Sequence, residues 1–212
     1  VNVLSNKATY EIQFGAIERP THWNTSYDKA RFEVCGHKWA DLSEGGYGVS
    51  LLNDCKYGYD IKDNRMRITL LRAPIDPDPT ADKGTHEFCY SLYPHKGNFI
   101  EGETVNAGFE LNVPLLAIPG RRMITEGSYA QISHKNVIID TIKCAEDGEG
   151  IILRVYESEG IRGNTTITLS SSPTRVYECN LMEEKEREIE IDGASFSFNI
   201  KPFEIKTFRI CK

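Results

Sequence analysis

The chain has 212 residues, with 25 Lys+Arg against 31 Asp+Glu for a formal net charge of −6, and it is 40% hydrophobic. That apolar fraction supports a buried core and excludes wholesale disorder. The mild acidity excludes the basic face that a nucleic acid or an anionic membrane surface would select. The most apolar uncharged run, Leu111 to Gly120, contains Pro114 and Pro119 and is too short and too broken to cross a bilayer. The chain opens at Val1 with no initiator Met, basic n-region or apolar h-region, so it reads as processed or as a piece of a longer polypeptide.

Period two dominates. Tyr10, Ile12 and Phe14 alternate with Glu11 and Gln13; Met66, Ile68 and Leu70 alternate with Arg67 and Thr69. Phe88, Tyr90 and Leu92 alternate with Glu87, Cys89 and Ser91, and Phe196, Phe198 and Ile200 with Ser195, Ser197 and Asn199. Each set predicts a strand with an apolar face inward and a polar face outward, as in a half-buried antiparallel sheet. Turn residues punctuate the runs at Glu44-Gly45-Gly46, Asp63-Asn64, Asp147-Gly148-Glu149-Gly150 and Asp192-Gly193. No segment carries a long helical stripe. Leu181–Glu190 comes nearest, but it is charge-rich and reads as a turn or a solvated edge. The fold class is therefore all-β.

The proline-bearing run to Gly120 gives way to Arg121-Arg122 and then Glu126-Gly127-Ser128, a linker-like shift that divides the chain into residues 1–124 and 125–212. Beyond it, Val137–Cys144, Ile151–Tyr156, Thr165–Ser170, Glu188–Ile191, Phe196–Ile200 and Ile205–Cys211 predict the strands of a small β-sandwich. The six cysteines, Cys35, Cys55, Cys89, Cys144, Cys179 and Cys211, form no CxxC pair. Cys89 and Cys144 fall in strand-like runs and are expected to be buried thiols, so a reducing, cytoplasmic setting is favoured over disulfides. Two glycosylation tripeptides, at Asn24 and Asn164, are of a kind frequent by chance.

Chemistry-bearing residues concentrate in the first part. Asp76 and Asp78 could pose as an acid/base pair, but Pro74, Pro77 and Pro79 make an extended loop in which Asp before Pro is ordinary turn chemistry. His22, His37, His86 and His95 show no HxH or HExxH metal spacing. Trp23, Trp39, Tyr57, Tyr59 and Tyr93 could stack on sugar rings, although aromatic residues are equally normal sandwich core. No phosphate loop and no Gly-x-Ser-x-Gly elbow is present.

Ordered blocks along the chain resemble a known family. Glu11–Gly15 (EIQFG), Arg19–His22 (RPTH), Ala30–Val34 (ARFEV), His37–Glu44 (HKWADLSE) and Leu51–Gly58 (LLNDCKYG) are similar to the C-terminal half of glycoside hydrolase family 38 α-mannosidases. Leu70–Pro74 (LLRAP), Gly84–Phe88 (GTHEF), Pro94–Gly97 (PHKG), Leu153–Tyr156 and Gly160–Gly163 extend the match. Lys201–Phe208 looks like the family's closing strand, and the branch most similar is that of the cytosolic, vacuolar and bacterial enzymes.

The resemblance implies a retaining α-mannosidase that hydrolyses terminal α-D-mannose. In the family an aspartate forms the covalent glycosyl intermediate, a second carboxylic acid protonates the leaving group, and a zinc ion holds sugar hydroxyls. These groups belong to an N-terminal catalytic barrel that this sequence does not contain, so no catalytic or metal residue is carried over and the chain alone is expected to be inactive. What carries over is architecture: residues 1–124 as part of a large, galactose-mutarotase-like β super-sandwich, and residues 125–212 as the small terminal sandwich. Asp76, Asp78, Asp82 and His86 become candidates for a loop at the substrate cleft, with Asn53, Asp54, Lys56 and Tyr57 as loop support. The implied partners are α-mannoside oligosaccharides and the barrel of the same polypeptide, with an apolar patch exposed where the barrel would sit; the resemblance also admits a homo-oligomer. Two alternatives stand beside it: a free-standing carbohydrate-binding module using Trp39, Tyr57 and Tyr59, and a structural interaction domain.

Overall fold

The computed structural model describes residues 1–31, 33–120 and 127–211. The chain divides into two compact units, Val1–Ala117 and Ile118–Lys212. Phe32, Arg121-Arg122, Glu126 and the boundary expected at 124/125 lie outside the described residues.

The first unit runs β1 (Lys7–Ile12), β2 (Gly15–Pro20), α1 (Ser26–Ala30), β3 (Val34–Cys35), β4 (Trp39–Ser43), β5 (Tyr47–Asn53), β6 (Gly58–Lys62), β7 (Arg65–Ile68), β8 (Tyr90–Lys96) and α2 (Thr104–Asn112). An antiparallel five-stranded sheet has the order β2-β1-β4-β5-β8, and a three-stranded sheet the order β3-β6-β7. Val3, Ala8, Tyr10, Ala40, Leu42, Val49, Leu51, Tyr59 and Ile61 form one core. β5 is buried from Gly48 to Asn53, so both of its faces are covered and it cannot show the polar alternation of a half-solvated strand.

Several expectations change here. Glu11, placed on the solvated face of β1, is buried, where it accepts a 2.6 Å bond from the Lys38 backbone N–H and pairs with the Lys38 ammonium at 2.6 Å. Phe14 leaves the strand at φ 53°, in the turn to β2. In β8 the faces are exchanged: Tyr90 and Leu92 are 56% and 62% exposed, while Ser91 and Tyr93 are half-buried and His95 is buried. Period two groups residues by face but does not say which face meets the core. Two helices also interrupt the all-β expectation. The short α1 is fixed by a capping box between Thr25 and Asp28. In α2 the buried set is Thr104, Val105 and Gly108, too few large apolar side chains to advertise a stripe in the sequence.

The second unit contains β9 (Ala130–Ile132), β10 (Val137–Cys144), β11 (Ile151–Glu157), β12 (Gly163–Leu169), β13 (Arg175–Cys179), β14 (Lys185–Ile189), β15 (Ile191–Asp192), β16 (Ser195–Ile200) and β17 (Ile205–Cys211). They form a five-stranded sheet, β10-β11-β17-β13-β14, and a four-stranded sheet, β15-β16-β12-β9. Both sheets feed one core that includes Val137, Leu153, Ile167, Val176, Phe196, Phe198 and Phe208. The ring of Phe208 lies 4.6 Å from that of Phe198 and 5.1 Å from that of Phe196. β16 keeps its expected alternation, and the charged stretch after Leu181 forms the solvated edge strand β14.

All six cysteines are free, but Cys89 and Cys144 are exposed and Cys179 is the buried one. Cys89 falls in the exposed loop just before β8, and Cys144 on an open face at the end of β10. No helix among the described residues is long and apolar enough to cross a membrane.

Candidate functional site

The chemistry-bearing residues of the first unit fall into three groups. The first is the loop between β7 and β8, without strand or helix and exposed over almost its whole length. Its polar side chains hold the loop itself. Asp78 accepts bonds from the Thr80 backbone N–H at 2.8 Å and the Thr80 hydroxyl at 2.7 Å, and these two donors hold its carboxyl below the ordinary aspartate value. Asp82 accepts the Ala73 N–H at 2.9 Å, closing the proline-bearing stretch, and His86 places Nε2 2.8 Å from the Asp82 carbonyl. Asp76 is exposed. The local turns thus occupy the Asp78 carboxylate with Thr80, as ordinary Asx-turn chemistry does.

The second group sits at the end of β5. Asn53 is fully buried; its amide N–H groups go to the His37 carbonyl at 2.7 Å and to the Tyr59 hydroxyl, and its Oδ1 accepts the Lys56 N–H at 2.5 Å. Asp54 accepts the Cys89 N–H at 2.9 Å and donates its own N–H to the Cys89 carbonyl at 3.2 Å. The Cys89 N–H, followed by the Cys55 thiol, holds the Asp54 carboxyl below its usual range. Lys56 places its ammonium 5.2 Å from the centre of the Phe88 ring, and the Tyr57 ring lies 5.2 Å from that of His37. The group therefore ties the returning end of the long loop, Phe88 and Cys89, to β5.

The third group carries no motif in the sequence. Asp41 on β4, Ser50 on β5 and His95 on β8 are all buried. Asp41 Oδ1 lies 2.8 Å from His95 Nε2 and accepts the Ser50 hydroxyl at 2.8 Å; Asp41 Oδ2 accepts the Ser43 hydroxyl. Ser50 Oγ is also 2.8 Å from Thr104 Oγ1 on α2 and 3.2 Å from His95 Nε2, while His95 Nδ1 faces the Lys96 carbonyl at 3.3 Å. Both ring nitrogens thus lie within hydrogen-bond reach of oxygen atoms. A Cβ on Gly48 would meet the imidazole at 2.3 Å, and one on Gly102 at 2.4 Å, so the two glycines form close walls around the ring. Although the residue types are those of a Ser-His-Asp triad, the arrangement is not. One ring nitrogen faces both Asp41 and Ser50, where a relay needs them on opposite nitrogens, and Ser50 is closed to solvent. The group is a buried polar clamp that joins three strands to α2.

The sugar platform of Trp39, Tyr57 and Tyr59 is not formed. Trp39 and Tyr59 are 1% and 0% exposed, and the Trp39 ring stacks on Phe99 at 5.2 Å; Tyr57 alone of the three is exposed. Large planar rings complete the core at these positions. Among the described residues no group of three or more His, Cys, Asp or Glu could hold a metal ion.

Comparison with known proteins gives two family matches. Residues 1–80 match the glycosyl hydrolases family 38 C-terminal domain, and residues 136–208 the family 38 C-terminal beta sandwich domain. Alpha-mannosidase G of Dictyostelium discoideum is 46% identical, over 98% of this chain and 20% of that protein. Alpha-mannosidase 2C1 of Homo sapiens is 46% identical, over 85% of this chain and 18% of its own length. The alpha-mannosidase of Saccharomyces cerevisiae is 38% identical, over 99% of this chain and 22% of its own length. The crystal structure of an alpha-mannosidase from Enterococcus faecalis superposes with a TM-score of 0.79 at 17% identity, covering 99% of this chain and 24% of that one, a likeness of fold. The chain spans about a fifth of the length of these curated relatives. By its two matched regions, the chain belongs to the C-terminal domains of glycosyl hydrolase family 38.

Proposed function

We propose that the chain is the non-catalytic C-terminal part of an α-mannosidase that releases terminal, non-reducing α-D-mannose with retention, and that it supports a catalytic barrel elsewhere in the same polypeptide. The observation that carries this is the near-complete alignment of the chain with about a fifth of three α-mannosidases. It is supported by the site geometry: the polar groups near the long loop are engaged in holding backbone. Retaining glycosidases need two carboxyl groups flanking the scissile bond, and these belong in the proposal to the barrel. The described residues do not fit a zinc ion, so zinc and its ligands are also assigned to the barrel and no step is derived through them.

This chain's contribution is positional. The loop between β7 and β8, closed by Asp82 on Ala73 and anchored by Asp54 on Cys89, presents Asp76, Asp78 and His86 at one rim of the substrate cleft. The exposed Tyr90, Leu92, Leu115 and Leu116 supply apolar surface for the barrel to cover. A cytoplasmic setting belongs to the same proposal and is supported by six free thiols.

The test is kinetic and uses the full-length polypeptide. Asp78→Ala and His86→Ala are expected to lower kcat/KM for an aryl α-mannoside on the order of tenfold, because loop geometry is altered near the substrate. The melting temperature should stay unchanged. Wild-type kinetics in both variants, with folding intact, would remove the loop from the cleft. Heat release on titrating the 212-residue chain alone with mannose would instead favour a binding module.

A further inference from the structure

The four-stranded sheet of the second unit ends in an incomplete edge. β15 has only two residues, pairing Ile191 with Phe196 and Asp192 with Ser195. Beyond them, Ser197 to Ile200 are paired on the β12 side alone. The two strands are joined by the two-residue turn Gly193-Ala194, with Gly193 at φ 59°. In such a hairpin the flanking residues, Asp192 and Ser195, exchange both backbone bonds. Alternation then directs the backbone N–H and C=O of Ser197 and Asn199 to the open side. No backbone hydrogen bond outside the ladders involves either residue.

That edge is rigid and accessible. Phe196, Phe198 and Ile200 anchor β16 in the core, and the Ser197 hydroxyl lies 2.8 Å from that of Thr166 on the neighbouring strand. A groove of about 820 Å³ runs beside it, lined by Ser195 to Asn199 with Asn164 and Thr166 of β12, and by Arg187 to Asp192. Arg187 is paired with Glu178 at 2.5 Å, a carboxylate shared with Lys206, and Glu188 interacts with Arg175 on β13, so Glu190 and Asp192 are the acidic groups left to meet a ligand. The open stretch carries no lysine, proline or bulge, the devices that usually blunt an edge strand.

We infer that the outer edge of β16 is a strand-addition site for an extended peptide segment of a partner protein, one with basic side chains. Backbone bonds to Ser197 and Asn199 would supply the pairing, and the acidic wall the selection. A second copy of this chain fits less well, because edge-to-edge pairing would bring two acidic walls together.

The probe is a fluorescein-labelled heptapeptide of alternating lysine and valine, titrated into the 212-residue chain by anisotropy. It is expected to bind about tenfold more tightly than its glutamate–valine counterpart, with an affinity that falls as salt is added. Amide shifts should centre on Ser197 and Asn199. Ser197→Pro, which removes an outward N–H, should weaken binding about tenfold. Since proline could disturb the strand, the double variant Glu190→Lys with Asp192→Lys is the second arm and should reverse the preference for the two peptides. Equal binding of both peptides, shifts centred elsewhere, or a dimer that buries this edge would overturn the proposal. So would failure of the full-length polypeptide to bind the basic peptide, which would mean that its own chain covers the edge.

Discussion

The two units are both antiparallel, yet each buries a carboxylate in a different way. In the second unit Glu157, at the end of β11, is fully buried and accepts backbone N–H groups from Glu159, Gly160 and Phe203 at 2.8–2.9 Å, together with the Asn136 amide at 3.0 Å. Those donors come from nearby loops, not from side chains on other strands of the sheet. In the first unit Asp41 lies within the sheet and takes its partners from side chains on β5 and β8. Its central strands, β4 and β5, are covered on both faces, so polar side chains there are buried within the sheet. A carboxylate at a strand end can be answered by loop backbone; one inside a strand buried on both faces needs side chains from neighbouring strands.

The largest effect should come from breaking the self-contained core. Phe208→Ala removes a ring that contacts Phe196 and Phe198 and should cost about 3–5 kcal/mol. Both tryptophans, Trp23 and Trp39, belong to the first unit, so tryptophan emission follows that unit while far-UV circular dichroism follows both. The expected outcome is a lowered dichroism midpoint with an unmoved emission midpoint. Equal movement of both would show that the units do not carry their stability separately.

Asp41→Ala should have the next largest effect, about 3 kcal/mol, because it leaves His95, Ser50 and Ser43 without their shared acceptor in a buried site. Here the emission midpoint should move. Gly102→Ala should destabilise in the same direction, since its Cβ would press on the His95 ring. A neutral Asp41→Ala would mean that the clamp contributes nothing to the fold.

A smaller effect is expected from acid. Burial works to raise the Glu178 pKa, but the Lys206 and Arg187 bonds outweigh it and hold the carboxyl below its ordinary value of 4.5. A carboxyl depressed in the folded state contributes stability that is fully present above the unfolded value and is lost as pH falls through the folded one. Glu178→Gln should therefore flatten the acid limb of the second unit's denaturation profile below that value and leave neutral-pH stability less affected. An unchanged acid limb would remove the Glu178 cluster from the account.

How much could be read in advance follows the same division. β10 and β17 have the bounds their apolar runs predict, and β16 its predicted faces; β10 and β16 present one face to the core and one outward, while β17 is buried on both faces from Thr207 to Ile210. β9 and β13 escaped because three or five residues carry too few apolar positions to show a period. At the candidate site, the backbone bonds of Asn53 and Asp54 follow a local pattern, since Asn and Asp at a strand end bond to nearby backbone. The His95–Asp41 pair does not. The two residues are 54 apart in sequence and meet only through the registers of β4 with β5 and β5 with β8, which no local pattern encodes.

The exchanged faces of β8 give the smallest effect and the sharpest discrimination. Had Tyr90 and Leu92 filled the core, as their alternation predicts, Tyr90→Ser with Leu92→Thr would cost several kcal/mol. With both side chains more than half exposed, the double variant should change the stability of the 212-residue chain by less than about 1 kcal/mol. In the full-length polypeptide the same pair should cost more, because the proposed barrel would then cover the face they open. A large loss in the chain alone would restore the alternation reading of β8. A loss equally small in both settings would leave this face uncovered and remove it from the proposed contact with the barrel.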